Sequence, residues 1–188
     1  MSRSLGRCER EAPCGAKAHL RVDGDHEDVL IDALIATARM FVERAFGLAL
    51  ITQEWSYYLD FWPRGGAVAL PLAPVQEVSA VTLHDAGGGA TEIASEGYAA
   101  DLLSQPARLV LNSALPSVTP RALNAFEIAF LAGHGDEKEN VPAPIRHALL
   151  LLVAHWFERR EPVVLGASAQ EVPATVAGLL LPYRRVRL

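Results

Sequence analysis

Cysteine is nearly missing from this sequence, and the little there is excludes a good deal. Cys8 and Cys14 are the only two in 188 residues, and their spacing is neither that of a zinc site nor that of a redox dithiol. Two free thiols fit a reducing, cytoplasmic setting with no disulfide framework. The first 22 residues lack the apolar run of a signal peptide, and nothing downstream is long and uncharged enough to span a bilayer. Basic charge is also short: 17 Lys and Arg stand against 22 Asp and Glu, for a net charge of −5. Nucleic-acid-binding surfaces are usually basic, so that class is disfavoured.

Catalytic patterns are missing too. Gly87-Gly88-Gly89 lacks the helix and lysine that would follow in a phosphate loop, so a hairpin tip is expected instead. His147 and His155 are eight apart on one segment rather than the four of a helical metal pair. His134, Asp136, Glu137 and Glu139 have ligand-type side chains without the alternation of a calcium loop, which leaves a solvated connection. Ser113, Ser117 and Ser168 have no nucleophile-elbow context. No enzyme, no cofactor and no metal site is therefore expected.

What is present is a core. Half of the residues (51%) are hydrophobic, ordinary for a globular chain of one domain with an arm or tail. The stretch the rest is arranged around is 141–161, VPAPIRHALLLLVAHWFERRE. Pro142 and Pro144 open it where a missing N–H costs nothing. Leu149, Leu152, Val153 and Trp156 mark one helical face, while Leu150, Leu151 and Ala154 make the opposite face apolar as well. A helix apolar all round is buried all round. Leu150, Leu151, Ala154 and Trp156 are accordingly the candidates for a contact with a neighbouring subunit.

The remaining elements follow from periodicity and turn chemistry. Residues 1–22 read as an N-terminal arm, 23–172 as the core and 173–188 as a C-terminal docking segment. After Asp23-Gly24-Asp25, residues 26–46 form a helix with Leu30, Ala33, Leu34, Thr37, Ala38, Phe41, Val42 and Ala45 on its apolar stripe, closed by Gly47. Short strands are expected at 51–62, 67–70, 75–84, 91–93, 98–103, 108–111 and 125–132, with a hairpin tip at 85–89 and an acidic loop at 133–140. A short helix should cover 174–181. The fold class is α+β: long helices flanking an inserted antiparallel β meander, with extended N- and C-terminal arms. The aromatics Trp55, Tyr57, Tyr58, Phe61 and Trp62 have only Arg64 nearby, which suits packing rather than a base-stacking surface. The ending Tyr183, Arg184, Arg185, Val186, Arg187, Leu188 alternates basic and apolar residues, as a strand added to another sheet's edge requires.

Four stretches together resemble the head–tail connector (adaptor) proteins of tailed phages, prophages and gene transfer agents. They are residues 16–55, 70–88 (LPLAPVQEVSAVTLHDAGG), 141–161 and 179–188 (LLLPYRRVRL). The resemblance covers most of the chain from Ala16 onward, and its motifs are structural rather than catalytic. Residues 1–15 depart from it, being less apolar than the usual lead-in.

The resemblance implies a twelvefold ring beneath the portal that extends the DNA channel and joins the capsid to stopper or tail components. Implied partners are the portal protein, a stopper or tail-completion protein, further copies of the chain, and DNA passing without sequence-specific binding. No membrane is involved. The place implied is the head–tail junction of a virion or phage-like particle assembled in the bacterial cytoplasm. Tyr183 to Leu188 become the portal-docking candidates. The alternative from another class is a small enzyme or ligand-binding module with a pocket in the β meander, using Tyr98, Asp101 and His84.

Overall fold

The computed structural model describes residues 12–63, 66–112, 115–158 and 173–184. Cys8, Arg64, Ser113, Ser168, residues 159–161 and Arg185 to Leu188 lie outside these. The chain divides into two compact units, a β unit within 51–134 and a helical unit made from the flanking segments up to 50 and from 135 onward. This is the expected α+β arrangement.

Among the described residues, four helices build the helical unit: α1 (Ala12–Leu20), α2 (Asp28–Phe46), α3 (Ala143–Glu158) and α4 (Ala174–Leu180). α1 begins inside the segment read as an arm, and its Ala16 is buried. Lys17 holds α1 to the start of α2 through Asp25 at 3.0 Å and Asp28 at 2.6 Å. α2 has no side-chain N-cap but ends as expected, with Gly47 left-handed at φ 66 and its N–H returned to the Glu43 carbonyl. α3 starts just after Pro142, whose carbonyl accepts from Ile145 N–H at 3.0 Å. It buries Ile145, Ala148, Leu152 and Val153. α1, α2 and α4 all pack on it, α4 through Val176 and Leu180.

The apolar stripe of α2 is turned from the expected position. Ile31, Ala38 and Val42 are its buried residues, whereas Leu30, Ala33 and Thr37 are exposed. The reason is that α2 is apolar on more than one side. Ile31 and Ile35 extend the hydrophobic arc, so periodicity alone does not choose the face that packs.

Among the described residues, the β unit has seven strands: β1 (Gln53–Leu59), β2 (Ala67–Ala69), β3 (Val75–His84), β4 (Ala90–Ile93), β5 (Tyr98–Asp101), β6 (Arg108–Leu111) and β7 (Phe126–Ala132). All pairings are antiparallel, but the strands form two sheets, ordered β1-β7-β3-β4 and β2-β6-β5. β7 therefore enters between β1 and β3, which precede it by several elements. Its alternation explains the placement: Phe126, Ile128, Phe130 and Ala132 point inward and are buried, while Glu127, Ala129 and Leu131 are only half-buried. Trp62 closes the end of this core edge-on to Phe126, with ring centroids 5.5 Å apart. In the second sheet Val68 and Leu109 supply the buried face.

One glycine is needed where β7 ends. Gly133 has φ 146, and a Cβ there would stand 2.5 Å from the Thr52 nitrogen, against backbone that cannot swing aside. Its own N–H donates to the Pro74 carbonyl at 2.9 Å. Gly133→Ala is expected to destabilise the β unit by about 1–3 kcal/mol, the usual range for forced backbone strain. Urea unfolding followed by Trp fluorescence would measure this, and an unchanged midpoint would contradict the close approach.

Candidate assembly surfaces

α3 shows how its all-round apolar character is used. Leu150, Leu151 and Ala154 are half-buried and share the side of the helix turned away from Ile145 and Leu152. Trp156 is half-buried too but lies on the other side, edge-on to Phe41 of α2 with ring centroids 6.1 Å apart. Of the four interface candidates, three thus form one open flank and the fourth belongs to the packing of the helices within the unit.

At the C-terminus, α4 runs into a single 3-10 turn over Leu181–Tyr183. Tyr183 is half-buried, and Arg184 is exposed with the extended dihedrals φ −70 and ψ 125.

The two expected loops are both built rather than loose. In the hairpin tip, Asp85 N–H donates to the Gly89 carbonyl at 2.9 Å, and Gly89 N–H donates back to the Asp85 carboxylate at 2.9 Å. Ala86 N–H then ties the tip to the Thr119 carbonyl at 2.9 Å. In the acidic loop, Glu137 and Asn140 form a reciprocal capping box around the turn Lys138–Asn140. Asp136, Glu137 and Glu139 are exposed, and among the described residues no group of three His, Cys, Asp or Glu could hold a metal ion.

Sequence reasoning missed one polar cluster. Glu127, on the outer side of β7, accepts hydrogen bonds from Ser56 and Tyr58, both at 2.8 Å, and its second oxygen lies 3.0 Å from His84 Nε2. Cross-strand register brings these together, since Tyr58 and Thr82 are the partners of Glu127 on either side. Burial pushes the Glu127 carboxyl up, but the bonds from Tyr58, Ser56 and His84 outweigh it and hold the group below its ordinary value. The same bond pushes the Tyr58 hydroxyl up.

The pocket alternative invoked Tyr98, Asp101 and His84, and these are separately engaged. Asp101 is taken by Ser104, with Oγ at 2.6 Å, and by Arg108 at 2.7 Å, which together hold it well below the usual carboxylate range. Tyr98 is half-buried, and burial raises its hydroxyl. His84 belongs to the other sheet and to Glu127.

These shifts give a pH dependence whose sign can be worked out. His134 has a buried Nε2 with no hydrogen-bond partner, and burial lowers its affinity for a proton below the ordinary value of 6.5. The unfolded chain therefore takes up this proton first as pH falls, so the stabilisation is complete above 6.5 and declines below it. Glu127 adds a second loss as pH falls below its ordinary 4.5. Thermal melts from pH 8 to 3 should show both losses. His134→Gln should flatten the first and Glu127→Gln the second; profiles identical to the parent would refute the assignments.

No protein-family model matches the chain, and no curated protein matches it either. Solved structures do. One is a chain from the neck of an empty gene transfer agent particle computed with C6 symmetry, 26% identical with a TM-score of 0.78, covering 100% of this chain and 97% of that one. A second, from the virion of a native gene transfer agent particle, is 27% identical with a TM-score of 0.79, covering 98% and 94%. A third, from the neck of a native particle computed with C12 symmetry, is 29% identical with a TM-score of 0.73, covering 100% and 97%. The resemblance read from the sequence thus extends to the whole fold, which is similar throughout to chains from the neck and virion of gene transfer agent particles.

Proposed function

We propose that the chain is the adaptor of a phage-like particle: a structural subunit that forms a ring beneath the portal, prolongs the DNA channel and offers the next surface to the stopper or tail. The observation that carries this is the likeness over 94–97% of the lengths of neck and virion chains. A likeness of that extent includes both units, not a shared helix pair. The C6 and C12 symmetries of those necks support a ring of copies, with twelve as the number expected.

The physical properties of the chain agree with this role. A net charge of −5 lets DNA pass without the basic partners that would hold its phosphates. The function is assembly rather than catalysis, located at the head–tail junction of a particle put together in the bacterial cytoplasm. Tyr183 to Leu188 form the portal-docking segment, leaving α4 through the extended Arg184. The partners are then the portal, the stopper or tail-completion protein, neighbouring copies and the DNA in transit.

Electron microscopy of particles from a strain lacking the gene tests the role. Capsids that fill with DNA but carry no tails, or leak, are the expected result, and intact tailed particles would overturn the adaptor reading. Deleting residues 183–188 should separately abolish attachment to the portal. Unchanged attachment would remove the docking assignment and leave the adaptor role standing.

A further inference from the structure

α2 turns an apolar face away from its own unit. Val29, Ala33, Ala36, Thr37 and Met40 are all exposed and lie within one stripe, Val29 at 85% and Met40 at 37% exposure. Beside them, Thr37, Met40, Phe41, Arg44 and Ala45 line a depression. The helix is therefore apolar on the side that packs and on the side that does not. α3 has a second apolar face, the half-buried flank of Leu150, Leu151 and Ala154.

The two faces are unlike, and they are complementary. Each is framed by exposed charges twelve residues apart but in opposite order: Asp32 then Arg44 on α2, Arg146 then Glu158 on α3. At a helical rise of about 1.5 Å per residue both spans are about 18 Å. Laid parallel, the helices bring unlike charges together at both ends; laid antiparallel, they bring acid to acid and base to base. Such juxtapositions set direction and register more than raw affinity. The parallel register that aligns Asp32 with Arg146 also sets small Ala36 opposite large Leu150, Thr37 opposite Leu151, and large Met40 opposite small Ala154. Large against small at successive turns is what lets helix ridges interlock.

We propose that the outer face of α2 in one copy receives the Leu150-Leu151-Ala154 flank of α3 from the next copy, as a parallel helix contact that closes the ring. The inference rests on the ring reading above. A cyclic assembly needs two different, mutually complementary surfaces on each copy, because every contact is head-to-tail. The necks that contain similar chains were computed with C6 or C12 symmetry. The second copy is thus the occupant that these two faces fit.

Cysteine cross-linking in assembled particles tests it. In a chain with Cys8 and Cys14 changed to Ser, Met40→Cys combined with Ala154→Cys should give, on oxidation, a ladder of linked multimers. A mixture of the two single variants should stop at dimers. Rings visible by electron microscopy without any ladder would overturn this contact while leaving the ring reading intact. If the unaltered chain forms no ring in particles, the ring reading falls and this contact falls with it. As a second measure, Asp32→Arg should reduce ring occupancy at low salt several-fold, and adding Arg146→Asp should restore it. Unchanged occupancy in the single variant, or no recovery in the double, would count against the parallel register.

Discussion

The helical unit depends on one arrangement, the burial of Ile145, Ala148, Leu152 and Val153 along a single side of α3. Three other helices find their apolar partners there, and two of them, the nine-residue α1 and the seven-residue α4, are too short to be stable alone in water. A helix surrounded this way cannot spend its whole circumference inside one chain. The remainder, Leu150, Leu151 and Ala154, is left half-open. Selection for solubility alone would make that flank polar, so its leucines are consistent with a use outside the monomer.

β7 has the corresponding position in the β unit. It is the strand that converts separate hairpins into a sheet, because β1 and β3 both pair with it over seven residues of its length. Its inward phenylalanines fill the core and its outward Glu127 gathers Ser56, Tyr58 and His84. One strand thus supplies both the apolar and the polar organisation of this sheet, from opposite sides of the same pleat.

Much of this was legible in the residues before any coordinates, and the parts that were not share a cause. β3, β6 and the C-terminal end of α2 were placed to the residue because turn or cap signals bound them: Gly47 after α2, the Asp85-Ala86-Gly87 turn after β3. The identity of the α2 packing face was not legible, since Ile31 and Ile35 widen its hydrophobic arc. Nor was the division into two sheets, because local alternation says which way side chains point and nothing about which strand lies alongside. The Glu127 cluster was hidden for the same reason. Its other members lie 43 to 71 residues from Glu127 in sequence, and only register joins them to it. The one available signal was the lone acid in the otherwise apolar AFEIAFLA.

The close approach of Gly133 to Thr52 bears on how such a chain can change. Gln53 pairs with Ala132, so the strand that carries the chain into the β unit is hydrogen-bonded to the strand that carries it out. An excursion whose two ends are already joined asks nothing of the helices except that they accept two adjacent connections. Loop length, sheet size and surface chemistry can then drift in the β unit with little entropic penalty at the point of attachment. The helical unit and its inserted partner are free to evolve at different speeds.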